Sequence, residues 1–194
     1  MRQNIVKYCL YVWCLAACQP QVEEKQKKEA FDQVLDTSGG QLARGAYLVQ
    51  IMGCESCHSP KVFTDKGPSP DPERRFSGHP EALKVEKVDK NQLRHWVLFN
   101  MHNTAVAGPW GLSFSANISS DATGIGNWTE EQFFRAMREG KSKGLTANRL
   151  LLPPMPWPDY ARMKDEDLKA IFAYLKSTKP VPNVVPAAVI LNDL

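Results

Sequence analysis

Cys54-Glu55-Ser56-Cys57-His58 is the stretch on which the reading of this chain turns. The pattern is C-x-x-C-H, a signature for attachment of c-type haem. Two thiols three residues apart lie on one helical turn, where each can form a thioether with one of the two haem vinyl groups. The adjacent His58 then swings beneath the iron as proximal ligand. Two other chemistries use paired cysteines. A thioredoxin-like redox pair wants a βαβ context, and none is legible here. A structural zinc site wants a second C-x-x-C or a histidine pair at ligand spacing, which His79, His95 and His102 do not offer. A single C-x-x-C-H motif implies one covalent haem c held by Cys54, Cys57 and His58.

The distal ligand decides what such a centre does. His/Met coordination suits electron transfer, whereas an open position admits gas binding or peroxide chemistry. The candidates downstream are Met101, His102, Met137, Met155 and Met163. Met137 falls on a helical segment and Met163 just before another, where packing is the ordinary role of methionine. Met101 and His102 close the apolar run HWVLFNM and compete for the position; coordination by two histidines, through His102 or His95, is a further reading. Met155 differs in kind, because it lies in LLPPMPWP (151–158) among four prolines. Proline removes backbone donors, fixes φ and pushes the preceding residue toward extended backbone. A stiff loop presenting one soft thioether is the expected iron-ligand loop, so His58 and Met155 are the expected metal ligands.

Outward from these points the periodicity is helical. Gln41 to Gly53 places Leu42, Ala46, Val49 and Met52 on one face. Thr129 with Gln132 forms a capping box, Trp128 with Phe133 a hydrophobic staple, and Gly140 a stop. Asp165 to Ser177 sets Leu168, Ile171, Phe172 and Leu175 on one side, with three acids in its first turn. Lys164 stands at its cap position. Lys90 to Asn100, with Leu93, Trp96 and Val97, is a weaker helix. Alternating strand patterns are nearly absent, so the expected class is all-α with long loops. Trp110, Phe114 and Trp157 are aromatics for haem packing or ordinary core.

The N-terminus reads as an export signal. Arg2 and Lys7 precede an uncharged run from Tyr8 to Ala17. Ten residues are too few to span a bilayer and fit a secretory h-region. The run ends Leu15-Ala16-Ala17-Cys18, which resembles a bacterial lipobox, with Cys18 the lipid-bearing residue. The expected organisation is a signal peptide at 1–17, a lipid-anchored polar tether at 18–38, a monohaem domain at 39–183 and a tail at 184–194. The expected location is the periplasmic face, after export across the cytoplasmic membrane.

The 194 residues carry 24 Lys+Arg against 21 Asp+Glu, a formal charge of +3. Loss of Arg2 and Lys7 with the signal would bring the balance closer to neutrality. Such a surface excludes the basic face of a nucleic-acid binder, and 43% hydrophobic residues exclude wholesale disorder. Arg74, Arg75, Lys84, Lys87, Lys90 and Arg94 are interleaved with Asp71, Glu73, Glu81, Glu86 and Asp89, which reads as a mixed solvated face.

The order of CxxCH, a methionine in a proline-rich loop and the helix MKDEDLKAIFAYLKST resembles class I c-type cytochromes. More narrowly, NISSD (117–121), TGIGNWT (123–129) and PMPW (154–157) look like the haem domains of cytochrome c subunits of bacterial dehydrogenases. The resemblance covers roughly residues 41–183. It implies a class I cytochrome c-like fold with a long insertion, about residues 75–145, between the haem motif and the Met155 loop. It also implies that Gly45 and Tyr47 meet Tyr174 where two helices cross. The function implied is electron transfer by an electron carrier rather than an enzyme, with a dehydrogenase or a terminal oxidase as redox partner.

Overall fold

The computed structural model describes residues 40–194. The signal peptide, Cys18 and the tether expected from the sequence lie outside these residues. Helix α1 (Gln41–Ile51) leads into the short helix α2 (Cys54–His58). An antiparallel hairpin of β1 (Lys61–Thr64) and β2 (Gly67–Pro70) follows directly. Then come β3 (Leu98–Phe99), β4 (Ala105–Gly108) and β5 (Gly111–Phe114). Helices α3 (Glu130–Glu139), α4 (Trp157–Tyr160) and α5 (Asp165–Ser177) complete the helical part. Finally β6 (Val189–Ile190), from the stretch 184–194, returns to pair with β5.

The fold is therefore mixed α/β and not all-α: among the described residues, six strands form two antiparallel sheets beside five α-helices. The second sheet runs in the order β3-β4-β5-β6. The strands escape a search for alternation for identifiable reasons. All four residues of β4 are buried, and a strand covered on both faces does not alternate. Strand β2 is Gly-Pro-Ser-Pro, while β3 and β6 contribute two residues each. The helix expected over Lys90–Asn100 is replaced by a 3-10 turn at Gln92–Arg94 followed by β3. Leu93 is buried there while Trp96 and Val97 are exposed, because the chain straightens to pair Leu98 with Ala107.

Two apolar clusters hold the chain. The larger joins Leu48 and Val49 of α1, Phe133 and Met137 of α3, and Leu168, Ile171 and Leu175 of α5 with Phe76 and Ile125. Full burial of such a side chain is worth about 1.5–3 kcal/mol before entropy is counted. Within it α1 crosses α5 at Gly45, where a methyl group would stand 2.0 Å from the Ala170 carbonyl oxygen and 2.7 Å from Tyr174 Cβ. Only glycine permits that approach. The smaller cluster, Leu93, Ala105, Ala107 and Leu112, lies on the sheet, and Val189, Leu191 and Leu194 pack against it.

Helix α3 begins as its sequence requires. The Thr129 hydroxyl accepts from Gln132 N–H and the Gln132 side chain accepts from Thr129 N–H, at 3.2 and 2.9 Å. It ends at Gly140 in the left-handed conformation. Helix α5 begins at Lys164 without a side-chain cap, its first turn carrying Asp165, Glu166 and Asp167 toward the positive end of the dipole.

Candidate functional site: the CxxCH helix and its cradle

Helix α2 is the motif itself, and it brings Cys54, Cys57 and His58 together on five residues. Both thiols are unpaired and half-buried. Burial pushes the Cys54 thiol up to about 11 and raises that of Cys57, whose shift the charge of Lys61 opposes. Both are therefore neutral thiols near pH 7.

His58 is held from two directions. Its Nδ1–H donates to the Ala116 carbonyl at 2.8 Å; a carbonyl can only accept, so the hydrogen sits on Nδ1 and the Nε2 lone pair is left for a metal. Its own carbonyl accepts from Gly78 N–H at 2.8 Å. Burial lowers the ring's proton affinity, the Ala116 carbonyl acting against it, which favours the neutral imidazole.

The segment 76–79 forms the cradle. Phe76 N–H donates to Ser59 Oγ at 2.8 Å, while the Phe76 carbonyl accepts from Ile118 and Ser119. Phe76 is fully buried at φ 60°, edge-on to Tyr174. Gly78 has φ 76°, and a methyl group there would stand 2.4 Å from the Ser115 carbonyl oxygen and 2.5 Å from the Ala116 carbonyl carbon. Backbone thus runs against backbone at the point where the Ala116 carbonyl is aimed.

Polar side chains then lock the cradle to the segment that follows α5. Asn117 Nδ2 donates to the Val181 carbonyl at 2.9 Å, and its Oδ1 accepts from Ser119 N–H and hydroxyl. Asn183 Nδ2 donates to the carbonyls of Ser77 and His79 at 2.7 and 2.8 Å. His79 is fully buried: Nε2–H donates to the Leu83 carbonyl, so Nδ1 accepts from the Thr104 hydroxyl at 3.0 Å. On the outer side of α2, Arg75 grips both oxygens of Glu55, at 2.5 and 3.0 Å. Arg74 pairs with Asp71 and Lys179 with Glu73, so the mixed charged face is partly internally neutralised.

The proline-rich loop lies across the larger cluster. Met155 is half-buried against it, as is Cys54. The Ser113 hydroxyl of β5 donates to the Pro153 carbonyl at 2.7 Å, tying the second sheet to this loop. Arg138 of α3 donates to the carbonyls of Ala161 and Met163 and pairs with Asp165, fixing the link between α4 and α5. Among the competing residues, Met101 is 77% exposed, Met137 is buried within α3 and Met163 packs half-buried on the same cluster. His95 is exposed, and His102 Nδ1 accepts from Lys61 N–H at 3.1 Å. Phe114 lies against the His79 ring, with centroids 4.7 Å apart.

This donor set fits a covalently attached haem: two free thiols a turn apart, followed by an imidazole oriented through Nδ1. Among the described residues no three His, Cys, Asp or Glu side chains converge as a metal-binding group. No helix among them is long and apolar enough to cross a membrane. Sequence reading missed the Ala116 carbonyl, the buried His79 and the Asn183 clamp. A backbone acceptor carries no sequence signature; Asn183, after the prolines that close α5, offered a faint one.

No family model matches the chain. It is similar to the cytochrome c subunit of a quinone alcohol dehydrogenase from Gluconobacter oxydans, 29% identical over 75% of this chain and 23% of the relative. It is 33% identical to the gluconate 2-dehydrogenase cytochrome c subunit of Pantoea cypripedii, over 68% of this chain and 22% of that protein. Over 40% of the chain it is 42% identical to the fructose dehydrogenase cytochrome subunit of Gluconobacter japonicus, covering 16% of it. The aligned regions span a quarter or less of each of these relatives. All three are cytochrome subunits of bacterial dehydrogenases, at modest identity.

Proposed function

We propose that this chain is a monohaem electron-transfer domain, with Cys54 and Cys57 as thioether anchors, His58 as proximal ligand and Met155 as distal ligand. The observation that carries this reading is the His58–Ala116 hydrogen bond within a CxxCH helix, which commits Nδ1 and leaves Nε2 for iron. Cys54 and Cys57 would each hold the haem through a thioether, the thiol S–H adding across a vinyl C=C with its proton taken by the other vinyl carbon, so that no external oxidant is required. When bound, the haem supplies a one-electron Fe(III)/Fe(II) couple. The protein's part is to hold both ligands still, through the Ala116 carbonyl on one side and the proline-rich loop on the other.

The names of the relatives support a dehydrogenase as electron donor, with this chain as carrier and not as the catalytic subunit. The lipobox-like segment supports export and anchoring at the periplasmic face through a lipid on Cys18. A terminal oxidase is a suitable acceptor.

Pyridine-haemochrome analysis of the exported protein tests the core of the reading, with one covalent haem per chain expected. Sharp low-spin bands on reduction, lost as high-spin character appears in Met155→Ala, are expected for His/Met ligation. High-spin iron in the wild type, or an unchanged Met155→Ala spectrum, would remove Met155 from the site. Incorporation of radiolabelled fatty acid into wild type but not Cys18→Ser tests the anchor.

A further inference from the structure

Lys61 is the first residue of β1, three positions after His58, and it is only 7% exposed. Lysine is rarely buried to this degree without a counter-charge. Its ammonium donates to the Ser59 carbonyl. Among the described residues no carboxylate lies within ion-pair distance of it. Glu55 is the acid of the motif, and it is already gripped by Arg75. The carbonyl that holds the ammonium belongs to Ser59, the residue directly after His58, so the charge is anchored at the end of the CxxCH helix. The backbone fixes it there, because Lys61 N–H donates to His102 Nδ1 and the Pro60 carbonyl accepts from Asp71 N–H at 2.8 Å.

An ammonium in a desolvated position without an ion-pair contact is costly to the fold: burial lowers its proton affinity, the more distant charge of Glu55 acting against that, and nothing in the hydrogen bonding of α2 requires it. Its location suggests what it does. Positive charge in a low-dielectric surrounding stabilises the less positive of two oxidation states, and it acts more strongly there than in water.

We propose that Lys61 is a potential-setting residue, a buried ammonium held on the Ser59 carbonyl, next in the chain to His58, that favours Fe(II) over Fe(III) in the attached haem. The inference rests on the haem reading above and names a residue acting by its field, without touching iron.

The test is a redox titration of exported holoprotein in three forms, each first assayed for covalent haem by pyridine haemochrome. Lys61→Gln is expected to shift the Fe(III)/Fe(II) equilibrium about tenfold toward Fe(III), a fall of about 59 mV for a one-electron couple. Lys61→Arg, which keeps the charge, is expected to stay within about twofold of wild type. Equal potentials in Lys61→Gln and wild type, or an equal fall in both variants, would overturn the proposal, since a merely structural role does not separate them by charge. A second measurement needs no substitution: in wild-type protein the Lys61 side-chain proton resonances are expected to move between Fe(II) and Fe(III) through their nearness to the iron. Stationary resonances overturn the proposal even where Lys61→Gln fails to accumulate. Absence of haem in the wild type is a different result, and it would sink the underlying reading instead.

Discussion

The imidazole of His58 and the backbone carbonyl of Ala116 are joined by a 2.8 Å hydrogen bond that spans 58 positions of sequence. The aim of this imidazole is thus set by a loop remote in the chain, and that loop is placed by Gly78. Gly78→Ala adds a methyl 2.4 Å from the Ser115 carbonyl oxygen at φ 76°. Gly67→Ala, at φ 99°, meets nothing within 4 Å. Backbone strain alone costs about 1–3 kcal/mol. Gly78→Ala should lose distinctly more, read as a lower urea midpoint at constant m. Equal losses in the two variants would show that the seam is loose.

At the crossing of α1 and α5, Gly45→Ala forces a methyl onto Ala170 and Tyr174. Overpacking of this kind costs about 1–3 kcal/mol, and Gly45→Val should cost more. Equilibrium unfolding of the two variants checks it; a near-neutral pair would mean that the helices separate without penalty.

Helix starts give a paired expectation of opposite sign. Thr129→Ala removes the hydroxyl that accepts from Gln132 N–H and should destabilise by about 1 kcal/mol. Lys164→Ser places a capping hydroxyl where α5 has none and should stabilise by about 0.5–1 kcal/mol. Thermal melts of the holoprotein measure both.

His79 makes stability depend on pH. Burial lowers its proton affinity below the ordinary 6.5, the Leu83 carbonyl acting against it. Above pH 6.5 both folded and unfolded forms are neutral, and the contribution is flat. As pH falls through 6.5 toward the folded-state value, the unfolded chain binds the proton first and stability declines. His79→Gln should flatten the part of the slope below pH 6.5 that wild type shows in urea titrations. An unaltered slope would assign it to other groups.

The C-x-x-C-H pattern is legible in the sequence because it constrains residue type and spacing together. Cys54, Cys57 and His58 stand on one short helix as their spacing requires, and the Thr129 capping box forms from the residues that encode it. The sheets were not legible. Ala105 to Gly108 is covered on both faces, and Val189–Ile190 gains its partner only through β5, so neither carries a local signal. The Ala116 carbonyl and the Asn183 clamp are tertiary coincidences of backbone and amide. Met155 was singled out by prolines, and the structure lays it on the cluster that also receives Cys54.

The bond from the Ser113 hydroxyl to the Pro153 carbonyl has a bearing on speed. An electron moves quickly when the nuclei around the centre scarcely rearrange. A ligand loop stiffened by proline and moored to a β-strand has little room to relax after the charge changes. On the proposed reading the second sheet, which supplies no ligand, keeps the reorganisation energy of the centre small, and Ser113→Ala would slow self-exchange while leaving the spectrum unchanged.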